Sequence, residues 1–248
     1  MRWAAFRASG LPPFRWEADV YLAELQIAFY VALVIGAAVA ANKKFQASWR
    51  LFFLGAFVIV VASLPGGAIG GLIRHELGNP NTPNTLLIPG LIAGAFEEIA
   101  RAAVLWRRRH RDGIGDAVMF GIGFGGAEVI ERAGRLLLFV IGVAPTGVFG
   151  LNSTILCVEI FIFHVCMTLI VYRVFHNPHS SWFRIAAVAA ILYHVGLNFC
   201  AGGAAARWGL IYTVIVWSIL TPLHIAVALR GVRSSRVTPI SASIAPRM

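Results

Sequence analysis

Residues 85–106 read TLLIPGLIAGAFEEIARAAVLW. A bilayer-crossing helix takes about 20 apolar residues, and this stretch is long enough, yet it carries Glu97, Glu98 and Arg101. One acid at the centre of the hydrocarbon costs upwards of ~2.5 kcal/mol. Nothing about forming a helix requires these three residues. An ionisable group inside a span is by default a functional-site hypothesis, and this chain has several.

The composition agrees that the stretch is a membrane segment. Of 248 residues, 58% are hydrophobic and 13% charged, with a mean hydropathy of +0.77. A soluble domain carries about 25% charged residues. The class is therefore an integral membrane protein of the cell membrane, with the lipid bilayer as its solvent. The excess of 21 Lys+Arg over 11 Asp+Glu would suggest nucleic acid in a soluble protein. Here the basic residues cluster between apolar runs and read as topology signals, so no nucleic-acid partner is expected. Cys157, Cys166 and Cys200 all lie within apolar runs without a CxxC pair and read as small buried hydrophobes. The opening residues MRWAAFRASGLPPFRWEADVYL lack a continuous apolar core and do not read as a removed signal peptide.

Seven segments are long and apolar enough to span: 20–41, 49–73, 85–106, 113–133, 152–175, 183–203 and 208–229. The expected fold is all-α, a polytopic membrane protein of seven transmembrane helices. The fourth span is expected to end near Arg132, with Leu136 to Val143 an interfacial or re-entrant piece; a tilted, longer helix is the alternative. Residues 1–19 form an N-terminal non-membrane segment, 20–229 the membrane domain with its motif core at 85–200, and 230–248 a disordered basic tail. Lys43, Lys44 and Arg50, then Arg107, Arg108, Arg109 and Arg111, then Arg173 and Arg184, then Arg230, Arg233, Arg236 and Arg247 fall on one side of a seven-span chain. The positive-inside rule makes that side cytoplasmic, with the N-terminus outside and the C-terminus inside.

Depth follows at ~1.5 Å per helical residue. Counted from the basic ends, Glu97 lies about 15 Å deep, His164 about 14 Å and His194 about 15 Å. Three helices thus place Glu, His and His at one level. Asn198 lies one turn beyond His194 on the same face. Glu128 counts deeper, at about 24 Å. Arg101 follows Glu97 at i+4 and is expected to hold that carboxylate ionised, whereas Glu98 has the less direct i+3 spacing. Glu128 with Arg132, and Glu131 with Arg135, repeat the i,i+4 spacing. His224 is expected at the interface, and Glu159 is expected to point away from His164. Gly121, Gly123, Gly125 and Gly126 suit close approach by another helix or a substrate backbone.

A carboxylate and two imidazoles around a cavity suit hydrolysis. A Glu can act as general base on water, and a His with an Asn can donate hydrogen bonds to a developing oxyanion. Glu97, His164 and His194 also form a His₂Glu donor set that zinc accepts, although the HExxH spacing is absent. No GxSxG occurs, and Ser218 has no evident base.

EEIAR (Glu97 to Arg101), FGGAE (Phe124 to Glu128), the mid-helix His164 and HVGLN (His194 to Asn198) follow one another on successive spans. This pattern resembles the superfamily of CAAX-processing endopeptidases, bacteriocin-processing proteases, PrsW and YhfC, and is most similar to the YhfC and PrsW branches. Those branches carry Glu in the second motif where the CAAX-processing branch has His. The resemblance covers about residues 85–200. It implies an intramembrane peptidase of membrane-associated proteins or peptides in which Glu97 activates water, with Glu98 as the alternative. His164 would hold the water, His194 and Asn198 would stabilise the oxyanion, and Glu128 would line the cavity. In the CAAX-processing branch three residues separate the glutamate pair from the arginine; here there are two. A scaffold that binds a transmembrane helix, or a proton-coupled transporter, are the competing readings; the absence of an internal repeat counts against the transporter.

Overall fold

The computed structural model describes residues 13–77, 83–143 and 150–176. In the last part of the chain it describes 181, 184, 185, 187–189, 191, 192, 194, 218, 219 and 221–230. Regular structure among these residues is helical throughout. Among the described residues five long helices are seen: α1 (Pro13–Phe45), α2 (Trp49–Leu77), α3 (Pro83–Arg108), α4 (Ile114–Val140) and α5 (Leu151–His176). The described residues around His194 and within 218–230 are helical as well. Three stretches are long and apolar enough by themselves to cross a membrane: Ala18–Phe45, Trp49–Ile73 and Leu151–His176. The helices α3 and α4 have comparable length but carry internal charges. Asn198, Cys200, the spans expected over 195–217, and the tail at 231–248 lie outside the described residues.

One expected boundary moves. The first described helix starts at Pro13 and its apolar span at Ala18, beside the expected start at 20. The fourth helix runs unbroken to Val140, the longer helix given above as the alternative, so Leu136 to Val140 is not a separate re-entrant piece. The reason is charge pairing along its own surface. Arg132 Nη2 donates to Glu128 Oε1 at 3.0 Å, and Arg135 Nε to Glu131 Oε1 at 2.5 Å. Each pair neutralises what would otherwise end the apolar run.

The bundle is organised around α4, which packs against α1, α2 and α5. Its glycines make this possible, each toward a different neighbour. A Cβ on Gly123 would fall on the Phe52 carbonyl of α2. At Gly125 it would come within 2.9 Å of the His164 Cβ, and at Gly126 within 2.7 Å of Val34. Small residues let helix backbones approach closely in this way.

The contact pairs also give helix direction. Phe45 meets Gly115 and Val34 meets Gly126, so α1 and α4 are antiparallel. Gly121 meets Thr168 and Gly125 meets Phe161, so α4 and α5 are antiparallel. Gly66 meets Ala93 and Ser63 meets Glu97, so α2 and α3 are antiparallel. The Ser48 amide donates to Asp116 at 3.4 Å and Phe52 meets Gly123, so α2 and α4 are parallel. Hence the α1–α2 turn, the α3–α4 turn and the end of α5 gather at one end. There the Tyr172 hydroxyl donates to the Asp112 carbonyl at 3.2 Å. This end carries Lys43, Lys44, Arg50, Arg107 to Arg109, Arg111 and Arg173. At the opposite end, the Gln26 side chain ties α1 to the start of α5, accepting from the Gly150 amide at 2.9 Å and donating to the Gly150 carbonyl at 3.1 Å.

The glycine packing yields a direct test. Gly123→Ala drives a methyl into the α2 backbone and is expected to cost about 1–3 kcal/mol. Gly134→Ala, on the same helix with nothing within 4 Å, is expected to be neutral or to gain up to about 1 kcal/mol. Thermal unfolding of both in detergent decides; equal shifts would refute the role given to α4.

Candidate functional site

Glu97 and Glu98 sit side by side on α3, and the helical turn sends them to different neighbours. Both are buried, at 7% and 2% exposure, and Arg101 is fully buried. Arg101 Nη1 donates to Glu98 Oε1 at 2.5 Å, and its Nη2 to His164 Nδ1 at 2.6 Å. Its guanidinium lies over the Phe124 ring, 4.3 Å from the centroid. The expected pairing with Glu97 is therefore wrong: Arg101 belongs to Glu98. Spacing on the helix was outweighed by tertiary attraction, because Phe124 and His164 draw the guanidinium toward α4 and α5. Glu97 turns instead toward α2, where the Ser63 hydroxyl lies 3.2 Å from its Oε1, and toward His194.

The expected meeting of the two histidines occurs. The His164 and His194 ring centroids are 5.3 Å apart, and Phe163 packs edge-on against both rings. Arginine can only donate, so His164 Nδ1 accepts from Arg101. Its Nε2 then carries the proton and donates to Glu128 Oε2 at 2.9 Å. His194 Nδ1 donates to Glu98 Oε1 at 2.6 Å, which turns His194 Nε2 toward Glu97 Oε2 at 3.4 Å. Each imidazole thus has a carboxylate on one nitrogen; the other nitrogen of His194 faces Glu97, and that of His164 accepts from Arg101. His194 is oriented as ligating histidines are, with the outer carboxylate fixing tautomer and ring.

Glu128 lies less far beyond His164 than counting suggested, since it touches His164 directly. The count for His164 began at Arg173, but α5 continues to His176. From the observed ends, Glu128 lies about 21 Å and His164 about 18 Å along their helices, a gap a glutamate side chain bridges. His224 also departs from expectation. It is buried, not interfacial, with its ring 5.1 Å from Phe163. Glu159 does point elsewhere, accepting from the Ser218 hydroxyl at 2.6 Å. Cys157 and Cys166 are free and buried. Ser63, Phe124 and Phe163 were missed by sequence reasoning. An aromatic or a serine in an apolar run has no spacing signature; only the packing partners give it meaning.

Three carboxylates, Glu97, Glu98 and Glu128, share the network with Arg101 and Arg132, and His194 stands between Glu97 and Glu98. The inward groups of Glu97, His164 and His194 can each place one ligand atom so that all three lie within 4.8 Å of one another. Donors on a tetrahedral zinc at ~2.1 Å stand about 3.4 Å apart, the separation seen between His194 Nε2 and Glu97 Oε2. The donor chemistry fits zinc, with one exchange: His164 Nδ1 must leave Arg101, which keeps Glu98.

A family model described as YhfC intramembrane metalloprotease matches residues 29–144. The match takes in Glu97, Glu98, Arg101 and Glu128 and stops short of both histidines. The chain is also 30% identical to a protein of Bacillus subtilis (strain 168) described as uncharacterized membrane protein YhfC. That alignment of 194 positions covers 73% of this chain and 73% of the relative.

Removing one partner of a buried ion pair costs about 3–5 kcal/mol. Arg101→Met is expected to lose that much. Adding Glu98→Gln to it should recover most of the loss, whereas adding Glu97→Gln should not. Denaturation midpoints of the three variants measure it, and rescue by Glu97→Gln would restore the pairing read from spacing.

Proposed function

The chain belongs to the YhfC family, and from that premise we propose that it is an intramembrane peptidase of the cell membrane. It would cleave peptide bonds of membrane-associated proteins or peptides at the Glu97–His164–His194 cluster. The single observation that carries this is the convergence of three buried donor groups from three helical segments, with one ligand atom of each within 4.8 Å of the others. Alternating helix direction and the gathering of basic residues at one end support seven spans with the N-terminus outside. Segment 218–230 adds support: Ser218 meets Glu159 and His224 meets Phe163. It therefore runs parallel to α5, as the second helix after it must.

In this reading Glu97, His164 and His194 would hold zinc, which would supply Lewis acidity and a water of lowered pKa at the site. The protein's own residues do the rest. Glu98 fixes the His194 tautomer, so its Nε2 lone pair points into the site. Glu128 does the same for His164 through Nε2, leaving Nδ1 to turn inward. Arg101 compensates the Glu98 charge, and Phe124 shields that guanidinium from lipid. Phe163 packs edge-on against both imidazoles and supports their contact with each other. Asn198, one turn from His194, is assigned the oxyanion contact by the sequence motif. A glutamate that activates water without metal is the same site read with a shared proton between Glu97 and His194. Metal content separates the two.

Purified protein is expected to carry about one zinc per chain, lost in Glu97→Gln and His194→Ala. Both variants should abolish cleavage of a membrane-embedded peptide, and a chelator should do so reversibly in wild type. Glu98→Gln should weaken metal binding 10- to 100-fold, roughly the effect of losing an outer carboxylate. Equal turnover in wild type, Glu97→Gln and His194→Ala would end the peptidase reading. Turnover in chelated protein would leave the glutamate mechanism and remove the metal.

A further inference from the structure

Four charged residues of α4 remain outside this chemistry or only touch its edge: Glu128, Glu131, Arg132 and Arg135. They recur at i, i+3, i+4 and i+7, so they share one face of the helix. Their exposure rises from the inner ion pair, Glu128–Arg132, to the outer one, Glu131–Arg135. The His164 side chain is 1% exposed, Glu128 27%, Arg132 33%, Glu131 50% and Arg135 76%. The side chains of the site's core residues, Glu97, Glu98, Arg101 and His194, are all at or below 10%. The face therefore leads from the buried imidazole to the surface in two turns.

Pairing alone does not explain this face. The Glu128–Arg132 and Glu131–Arg135 ion pairs cancel net charge, but each group keeps hydrogen-bonding capacity that hydrocarbon cannot satisfy. Arg132 has a buried Nε without a hydrogen-bond partner. Counted from Ile114, this charged face runs from about 32 Å at Arg135, near the far interface, inward to about 21 Å at Glu128, beside an Ile130 that faces outward at 41%, and water on that side of the helix would satisfy it. A hydrolase buried in a bilayer has a matching need, since each turnover consumes one water.

We propose that the site is hydrated along this face of α4, from the end of the bundle opposite the basic loops. The path enters at Arg135 and Glu131, passes between Arg132 and Glu128, and reaches His164. The physiological meaning rests on the peptidase reading, but the path itself is a property of the bundle and can be measured without any substrate. The basic end offers no equivalent face among the described residues: α4 there is lined by buried Ala117, Met119 and Phe120.

The test uses full-length protein with Cys157, Cys166 and Cys200 replaced by alanine. Single cysteines are placed at Arg135, Glu131, Arg132 and Ile130, with Lys44→Cys marking the basic end. A membrane-impermeant maleimide is applied to intact cells and to inverted vesicles. Positions 135, 131 and 132 should label from the side opposite Lys44→Cys, at rates falling in that order. Ile130→Cys should react at least ~10-fold more slowly than Arg132→Cys, because the thiolate that reacts does not form in lipid. Equal rates at 130 and 132, or labelling of 132 from the Lys44 side, would overturn the path. Where a variant fails to accumulate, wild type decides. A water-soluble carbodiimide with an amine should modify Glu131 first and Glu128 next, with Glu98 untouched; modification of Glu128 no faster than Glu98 overturns it. Labelling as expected in a protein without peptidase activity would leave the path standing and sink the peptidase reading. Activity with the labelling reversed would do the opposite.

Discussion

The structure depends on a guanidinium with no access to solvent. Arg101 is fully buried in an apolar bundle, where an unpaired charge costs many times what any single packing contact returns. Its position dictates its surroundings. Glu98 must stand beside it, Phe124 must lie beneath it, and His164 must turn one nitrogen toward it. Once Glu98 is held there, it orients His194 as well. Two histidines from separate helical segments are thus set by one cation on a third.

That arrangement needs close helices, and the glycines of α4 supply them. Gly125 lies against His164 with no room for a methyl, and Gly123 lies against the α2 backbone near Phe52. A larger residue at Gly125 would push α5 outward and take His164 away from Arg101 and Glu128 together. Packing and electrostatics are therefore one problem here. The glycine run, which in isolation suits any helix–helix contact, sits beside the site because the site requires short distances.

How much of this was legible in the sequence follows from what each signal encodes. Apolar length gave the helices, because backbone groups in lipid must be satisfied within the segment. Depth counting brought Glu97, His164 and His194 together, because rise per residue is fixed. Partner choice was not legible. Helix spacing gave Arg101 to Glu97, but spacing describes an isolated helix, and the contest was decided by Phe124 and His164 on other helices. The continuity of α4 past Arg132 was hidden for a related reason: charges that look like a terminus are neutral once paired along the helix. Glu128 was misplaced by assuming that α5 ended at its last basic residue. Ser63 and Phe163 left no trace, since neither residue type is unusual in a span.

The two halves of the site are chemically alike but not equivalent. Each has an imidazole oriented by an outer glutamate, His194 by Glu98 and His164 by Glu128. Glu98 is sealed, its charge met by Arg101 and its second oxygen buried without a partner. Glu128 is open, paired with an arginine that is itself a third exposed. Under the proposed hydration path, water reaches the Glu128 side of the site first, while His194 and Glu98 stay dry. The same carboxylate–imidazole pair is thus built twice in two environments, one sealed by Arg101 and one opening along α4, and a single pair cannot be both sealed and open.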